Sequence, residues 1–350
     1  MENEFNNLRL CVVAPFDSTG PQDLYENPCR HLEEEGVKVY RLNKTIHPSV
    51  LQPIKISLGL LKYVRHIEII HAHACSYGGF LPLILAVIIG KLFGKKIVMT
   101  YHSGTAREFL QKYGVIVKPF LKRVDKIIGP NDFLKDAFAE FGFEAESIPY
   151  ISDTGGFYYK EREKVKPKLI VTRGLEEIYN IPCALRAFQI VKEKYPQAKL
   201  KLVERGSLEQ KLKSMVDETG LSDVEFTGRV KYEDMPQTYQ SCDILVNPTN
   251  YDIMPLSILE PFRCGLPVVS TNAGGIPYFV KDGENGLLVN KDDHVAIAEK
   301  ICYLLENPEE ARRLARNGKK TAELCSWESV KSKYASLYGS LRKEKIGDRV

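Results

Sequence analysis

Short apolar runs recur along the chain at intervals that each leave room for one helix. Leu8 to Ala14 is apolar at every position but Arg9, the pattern of a parallel strand buried on both faces. Comparable runs stand at 37–42, 67–73, 96–100, 124–129 and 147–151. Between them, 22–35, 51–65 and 131–141 carry the mixed spacing of helices packed by one side. A charged, proline-bearing stretch at 161–168 interrupts this rhythm and reads as a linker. The alternation then restarts, with strands at 169–172, 198–203, 224–226 and 244–247, and helices at 181–195, from about 208 and near Met235. Such alternation predicts an α/β protein with parallel sheets, and the interruption predicts two of them. The expected division is 1–160, 161–325 and a closing helical segment, 326–350.

The chemistry concentrates in Tyr251 to Pro277, which reads YDIMPLSILEPFRCGLPVVSTNAGGIP. The apolar run from Leu256 to Phe262 begins after Pro255, and proline is favoured at the first helical position, so a short helix is expected to start there. Its first backbone N–H groups, at Leu256 and Ser257, have no partner inside the helix and suit a phosphate. Asp252 precedes the helix, Glu260 lies on it, and Cys264-Gly265 ends it. Pro267 to Ser270 is a short buried strand, and Asn272-Ala273-Gly274-Gly275 is a loop able to approach a ligand closely. Carboxylates to accept from hydroxyls, beside N–H groups to hold phosphates, suit a sugar joined to a diphosphate.

This string resembles the acid-x7-Glu signature of retaining family-4 glycosyltransferases, with its following strand and Gly-Gly loop. The resemblance is strong from about 165 to 325 and looser before that. It implies the GT-B fold: two Rossmann-like doubly wound domains facing across a cleft, with a C-terminal helix crossing back to the first. It also implies roles. Glu260 would meet the ribose hydroxyls. Arg173 and the amides at Leu256 and Ser257 would hold the diphosphate, Asp252 the sugar, and Gly20 would approach the donor from the first domain. His102, just past a strand end in Tyr101-His102-Ser103-Gly104, would stand beside the reacting carbon. The implied reaction passes a hexose-type sugar from a nucleoside-diphosphate sugar to a glycan, lipid-linked or small-molecule acceptor, with no metal or other cofactor.

Composition narrows the alternatives. The loop after the first strand lacks G-x-G-x-x-G, which argues against a nicotinamide enzyme. With 49 basic and 45 acidic residues the net charge is +4, so nothing in the totals calls for nucleic acid. The eight cysteines are scattered singly and read as small buried hydrophobes. His71 and His73 share one strand face, but no acid or cysteine accompanies them at ligand spacing, so they are expected to pack. The start, Met1-Glu2-Asn3-Glu4, is unlike a secretory leader. The longest apolar stretch, Phe80 to Phe93, is too short to span a bilayer. A cytoplasmic protein is therefore expected, with the basic, amphipathic segment 112–123 a candidate for peripheral membrane contact.

Three positions depart from the family pattern. Asp252 stands where glutamate is usual. The lysine that joins the clamp arginine is missing, and Tyr179 lies near its place. Tyr278 replaces the acid of Gly-Gly-x-x-Glu. Losing one clamp cation costs roughly 1.5–3 kcal/mol if nothing replaces it, and Arg205, at the end of the next strand, is the candidate substitute. These departures leave two further readings open: a catalytically weak sugar-nucleotide-binding or partner subunit, and a GT-B-fold sugar-nucleotide epimerase.

Overall fold

The computed structural model describes residues 5–16, 23–43, 51–152 and 155–347. The chain divides into two compact units, one of residues 1–154 with 326–350 and one of residues 155–325.

The first unit is built on β1 (Arg9–Ala14), β2 (Lys38–Asn43), β3 (Ile69–Ala74), β4 (Lys96–Tyr101), β5 (Lys126–Gly129) and β6 (Glu146–Ser147). They form one sheet in the order β2-β1-β3-β4-β5-β6, with every pairing parallel. Helices α1 (Asp23–Glu34), α2 (Gln52–Tyr63), α3 (Leu81–Leu92), α4 (Ala106–Leu121) and α5 (Asp132–Ala139) make the crossovers. Parallel crossovers are right-handed. The chain steps from β1 out to β2 and then back past β1 to β3, so α1 covers one face of the sheet and α2 to α5 the other. β3 is buried at all six positions, so its two histidines, His71 and His73, are buried with it and meet hydrogen-bond partners there.

The second unit repeats the plan with β7 (Lys168–Val171), β8 (Lys199–Val203), β9 (Val224–Gly228), β10 (Ile244–Asn247), β11 (Val268–Thr271) and β12 (Leu287–Val289), ordered β12-β11-β10-β7-β8-β9. Its helices are α6 (Ile181–Lys194), α7 (Glu209–Thr219), α8 (Met235–Gln240), α9 (Leu256–Cys264), α10 (His294–Glu306) and α11 (Pro308–Glu323). In each sheet the chain order reverses once, between β1 and β3 and between β7 and β10. Open parallel sheets bind ligands beyond the carboxyl ends of the strands at such a reversal.

The final helix, α12 (Trp327–Gly347), belongs to the first unit, as expected of a helix that crosses back to it. Trp327, Val330, Leu337, Tyr338 and Leu341 enter one core with Leu10, Val12 and Leu32. The division also moves, from 160/161 to 154/155, because the residues just before the charged stretch pack on the second unit: Phe157 lies against Tyr232 and Tyr239, and Lys160 N donates to the carbonyl oxygen of Cys264 at 3.3 Å. The charged stretch 161–168 reads as a linker, yet Arg162 is buried. It donates to the carbonyl oxygens of Cys242 (2.8 Å), Cys264 (2.9 Å) and Gly265 (3.0 Å) and pairs with Asp243 at 3.0 Å. A guanidinium can be buried when its fork of donors is met in this way, and it pins the segment to the second unit.

Candidate functional site

In the second unit, the carboxyl ends of β7 and β10 lie side by side, with Leu169 opposite Ile244 and Ile170 opposite Leu245. Arg173 leaves the first of these ends, and the segment leading to α9 leaves the second. Arg173 therefore meets both Asp252 and α9. Its Nη1 donates to Ser257 Oγ at 2.8 Å, its Nη2 donates to Asp252 Oδ2, and the guanidinium lies 4.0 Å from the ring centre of Tyr179. Both members of the ion pair are largely withdrawn from water, with 13% and 15% of their side chains exposed. Arg173 Nε is buried with no hydrogen-bond partner among the described residues. The tyrosine that stands near the missing lysine thus does not replace its charge. It stacks on the arginine and holds the fork flat, as a cation over an aromatic face is held.

Pro255 is the residue before α9, in an extended conformation, and not its first helical residue. No side chain caps the helix, so the N–H groups of Leu256 and Ser257 are left for a ligand at the positive end of the helix dipole. Glu260, one turn further on, is buried, and its Oε2 accepts from Tyr239 Oη at 2.7 Å. Tyr239 Oη also lies 3.2 Å from Thr172 Oγ1, so a hydroxyl network ties α8, α9 and the end of β7 together. Burial and the neighbouring Glu260 carboxylate raise the Tyr239 phenol well above its usual range, so it stays protonated and keeps donating.

The Gly-Gly loop closes on the same group. Gly274 has φ +56°, a Cβ there would collide with the carbonyl oxygen of Asp252, and Gly275 N donates to that oxygen at 2.9 Å. Tyr278 follows in a single 3-10 turn and is exposed. Arg205 is exposed as well, and its guanidinium lies over Gly228. It makes no hydrogen bond to Arg173, Asp252 or Ser257. The structure therefore brings together Arg173, Asp252, Leu256 and Ser257, places Glu260 behind them in the helix, and leaves Arg205 outside the group. Gly20 lies outside the described residues.

In the first unit, His102 follows β4 and stacks between two rings, His73 at 5.0 Å and Tyr150 at 5.5 Å between centres. Its Nε2 is 2.7 Å from His73 Nδ1, and its Nδ1 is 2.8 Å from Tyr150 Oη. Both ring nitrogens are thus engaged within the unit. His71 is fully buried, 2.6 Å from Thr100 Oγ1 and 2.8 Å from Tyr338 Oη. Burial lowers its pKa to about 3, so it is neutral, with one nitrogen donating and the other accepting. Arg107 is engaged elsewhere, paired with Glu140 and set over Phe133. No group of three His, Cys, Asp or Glu side chains is placed to hold a metal ion among the described residues.

Tyr239, Tyr150 and Tyr338 escape a reading of the sequence. Each serves by one hydroxyl placed by the fold, against a partner 21, 48 or 267 positions away. No motif or periodicity singles these tyrosines out. A weak signal exists in composition alone, since 18 tyrosines are available and a buried tyrosine hydroxyl needs a partner.

Comparison with known proteins follows the same division. The family model for glycosyl transferases group 1 matches residues 159–321, and that for glycosyltransferase family 4 matches residues 7–152. The chain is 27% identical over 308 residues to the sulfoquinovosyl transferase SQD2 of Arabidopsis thaliana, covering 78% of this chain and 58% of that protein. The matched segments span between 40% and 61% of the length of the first three curated relatives. Among solved structures, the sucrose-phosphate synthase (tll1590) from Thermosynechococcus elongatus has TM-score 0.80 at 18% identity, covering 98% of this chain and 100% of that one. Anabaena Alr3699/HepE in complex with UDP has TM-score 0.72 at 16% identity, covering 97% and 100%. These two likenesses show the fold, the GT-B class of two parallel α/β sheets with flanking helices. Among the described residues no helix is long and apolar enough to cross a membrane.

Proposed function

We propose, from the premise that this chain belongs to the group 1, family-4-type glycosyltransferases, that it moves a hexose-type sugar from a nucleoside-diphosphate sugar to an acceptor with retention of configuration. One observation carries the reading: Arg173, Asp252 and the uncapped start of α9 converge at the reversal point of the second sheet. Departure of a nucleoside diphosphate puts negative charge on the leaving oxygens and positive charge on the sugar carbon. Arg173 and the α9 amides meet the first, in fixed positions and away from bulk water, where such donors act most strongly. Asp252 accepts from a sugar hydroxyl and Glu260 from the ribose. The cations and dipoles are the protein's own, so turnover is expected to survive chelation of divalent ions. The acceptor is a glycan, a lipid-linked sugar or a small molecule, His102 belongs to its side of the reaction, and 112–123 is the segment proposed for peripheral membrane contact.

The test is release of nucleoside diphosphate from UDP-, GDP- and ADP-sugars, with and without chelator, by the wild type and by Glu260→Ala and Arg173→Ala. Release from one donor, lost in both variants, supports the transferase and identifies the base. A second reading, a sugar-nucleotide-binding subunit with little turnover, rests on Tyr179, which lies over Arg173 where the family has a second cation. Tight nucleotide binding without release from any donor would favour that reading.

A further inference from the structure

Residues 36–107 hold ten Lys or Arg and a single acid, Glu68, in a chain that is otherwise nearly balanced. Glu68, just before β3, is taken up by Arg9 and Arg342, so it does not offset the bases on the helices. Of the ten, Arg41, Lys91, Lys96 and Arg107 are paired with acids outside this stretch, and the exposed bases of α2 lie beside an unusual surface. α2 buries Ile56 and Leu60 against its own unit, as an amphipathic helix does, yet its opposite face is also apolar. Ile54, Leu58 and Leu61 stand at i, i+4 and i+7, with 57%, 62% and 48% of their surface exposed. The neighbouring α3 continues the surface with Leu92, 77% exposed, and Phe93 just beyond its end. Both helices lie on the same face of the sheet and touch each other, so these side chains point away from one layer.

Charge borders the apolar stripe. At 100° per residue, Lys55 and Lys62 lie along one edge of it and Arg65 extends it beyond the last turn. All three are exposed, and none has an acidic partner among the described residues. Lys91 and Lys95 are committed elsewhere, to Asp125 at 2.5 Å and to the carbonyl oxygen of Ile67 at 2.8 Å. A monomer rarely leaves such a patch uncovered without use.

We propose that the α2–α3 face docks on an anionic lipid surface. Apolar side chains with long cationic stems at their border match the boundary of a bilayer, where the stems lie along the acyl region and the ammonium groups reach the phosphates. A second copy of this chain is a poor occupant, because it would set the same unpaired cations against each other. The face is separate from the donor group of the second unit and does not depend on its chemistry. It also differs from the 112–123 segment, whose Val115 and Ile116 are exposed on α4.

Co-flotation of the full chain with vesicles decides the matter. The wild type is expected to float with vesicles holding equal parts of phosphatidylglycerol and phosphatidylcholine, to stay behind with pure phosphatidylcholine, and to be released by salt. Lys55→Gln with Lys62→Gln should lower the partition coefficient roughly 25-fold, about fivefold for each charge near the surface. Leu58→Ser with Leu61→Ser should lower it at least about tenfold. Circular dichroism and nucleotide binding should be unchanged in both, since these side chains are exposed and lie outside the donor group. Absence of wild-type flotation on anionic vesicles would overturn the proposal, as would flotation lost only in Val115→Ser with Ile116→Ser. A dimer dissolved by the leucine pair, with no lipid binding, would assign the face to a second copy instead.

Discussion

Asp252→Asn separates the two tasks assigned to the acid before α9. In the free protein Asp252 holds one arm of Arg173, and the pair is only 13% and 15% exposed, so water screens it little. A diphosphate must share or take that arm, and its own charge is repelled by the carboxylate beside it. A charge-assisted hydrogen bond is worth about 1.5–3 kcal/mol, and a neutral amide in the same place retains about 0.5–1.5 kcal/mol. The difference left to the ligand is about 1–2 kcal/mol. The dissociation constant of the bare nucleoside diphosphate should therefore fall about 5- to 30-fold in the variant. Turnover should fall as well, because an amide accepts more weakly than a carboxylate from the sugar hydroxyl. Calorimetric titration of UDP, GDP and ADP into both proteins at 0.15 M salt reads the first effect, and diphosphate release from the matching sugar reads the second. Equal or weaker diphosphate binding by the Asn variant would refute the competition between Asp252 and the ligand for Arg173.

Gly274→Ala combines a left-handed backbone with a Cβ driven into the Asp252 carbonyl, and should cost at least about 2 kcal/mol in urea unfolding of the second unit. Gly283→Ala, at φ +69° with open space around it, should cost only about 1 kcal/mol. His71 gives a pH dependence of defined sign. Its folded pKa is about 3 and its unfolded value about 6.5, so the unfolded state binds the extra proton, and stability present above pH 6.5 is lost as the pH falls towards 3. The slope should reach up to about 1.4 kcal/mol per pH unit, read by fluorescence of the single tryptophan, Trp327, in the core of the first unit. A slope that persists in His71→Gln would point to another group.

The elements were legible wherever one local rule governed them. β1 and the first three residues of β10 are buried on both sides and are apolar for that reason, apart from the exposed first residue of β1, Arg9. The helix after Pro255 begins and ends where proline and Gly265 place it, apart from the shift of Pro255 to the position before the first turn. The charged linker was not legible, because Arg162 counts as a surface residue until the carbonyls of Cys242, Cys264 and Gly265 are gathered around it. Arg205 shows the converse. Its place at the end of β8 made it a candidate cation, but the strand end aims it over Gly228, away from Arg173.

By itself, then, the sequence determined the alternation of strand and helix, the two-sheet class, the family signature and the residue types gathered around Arg173 and the start of α9. Those depend on periodicity, on glycine and proline geometry, and on spacing within about 30 residues, all of which are local. Only the tertiary structure decided that Asp252 ties down Arg173, that Tyr179 covers it, that Tyr239 holds Glu260, and that His102 spends both nitrogens inside its own unit. It also decided that an apolar, cationic face is left outward on α2 and α3. Each is a directional bond or a packing choice between residues far apart in the chain. Its energy exists only when the sheet has already set the two groups within about 3–4 Å.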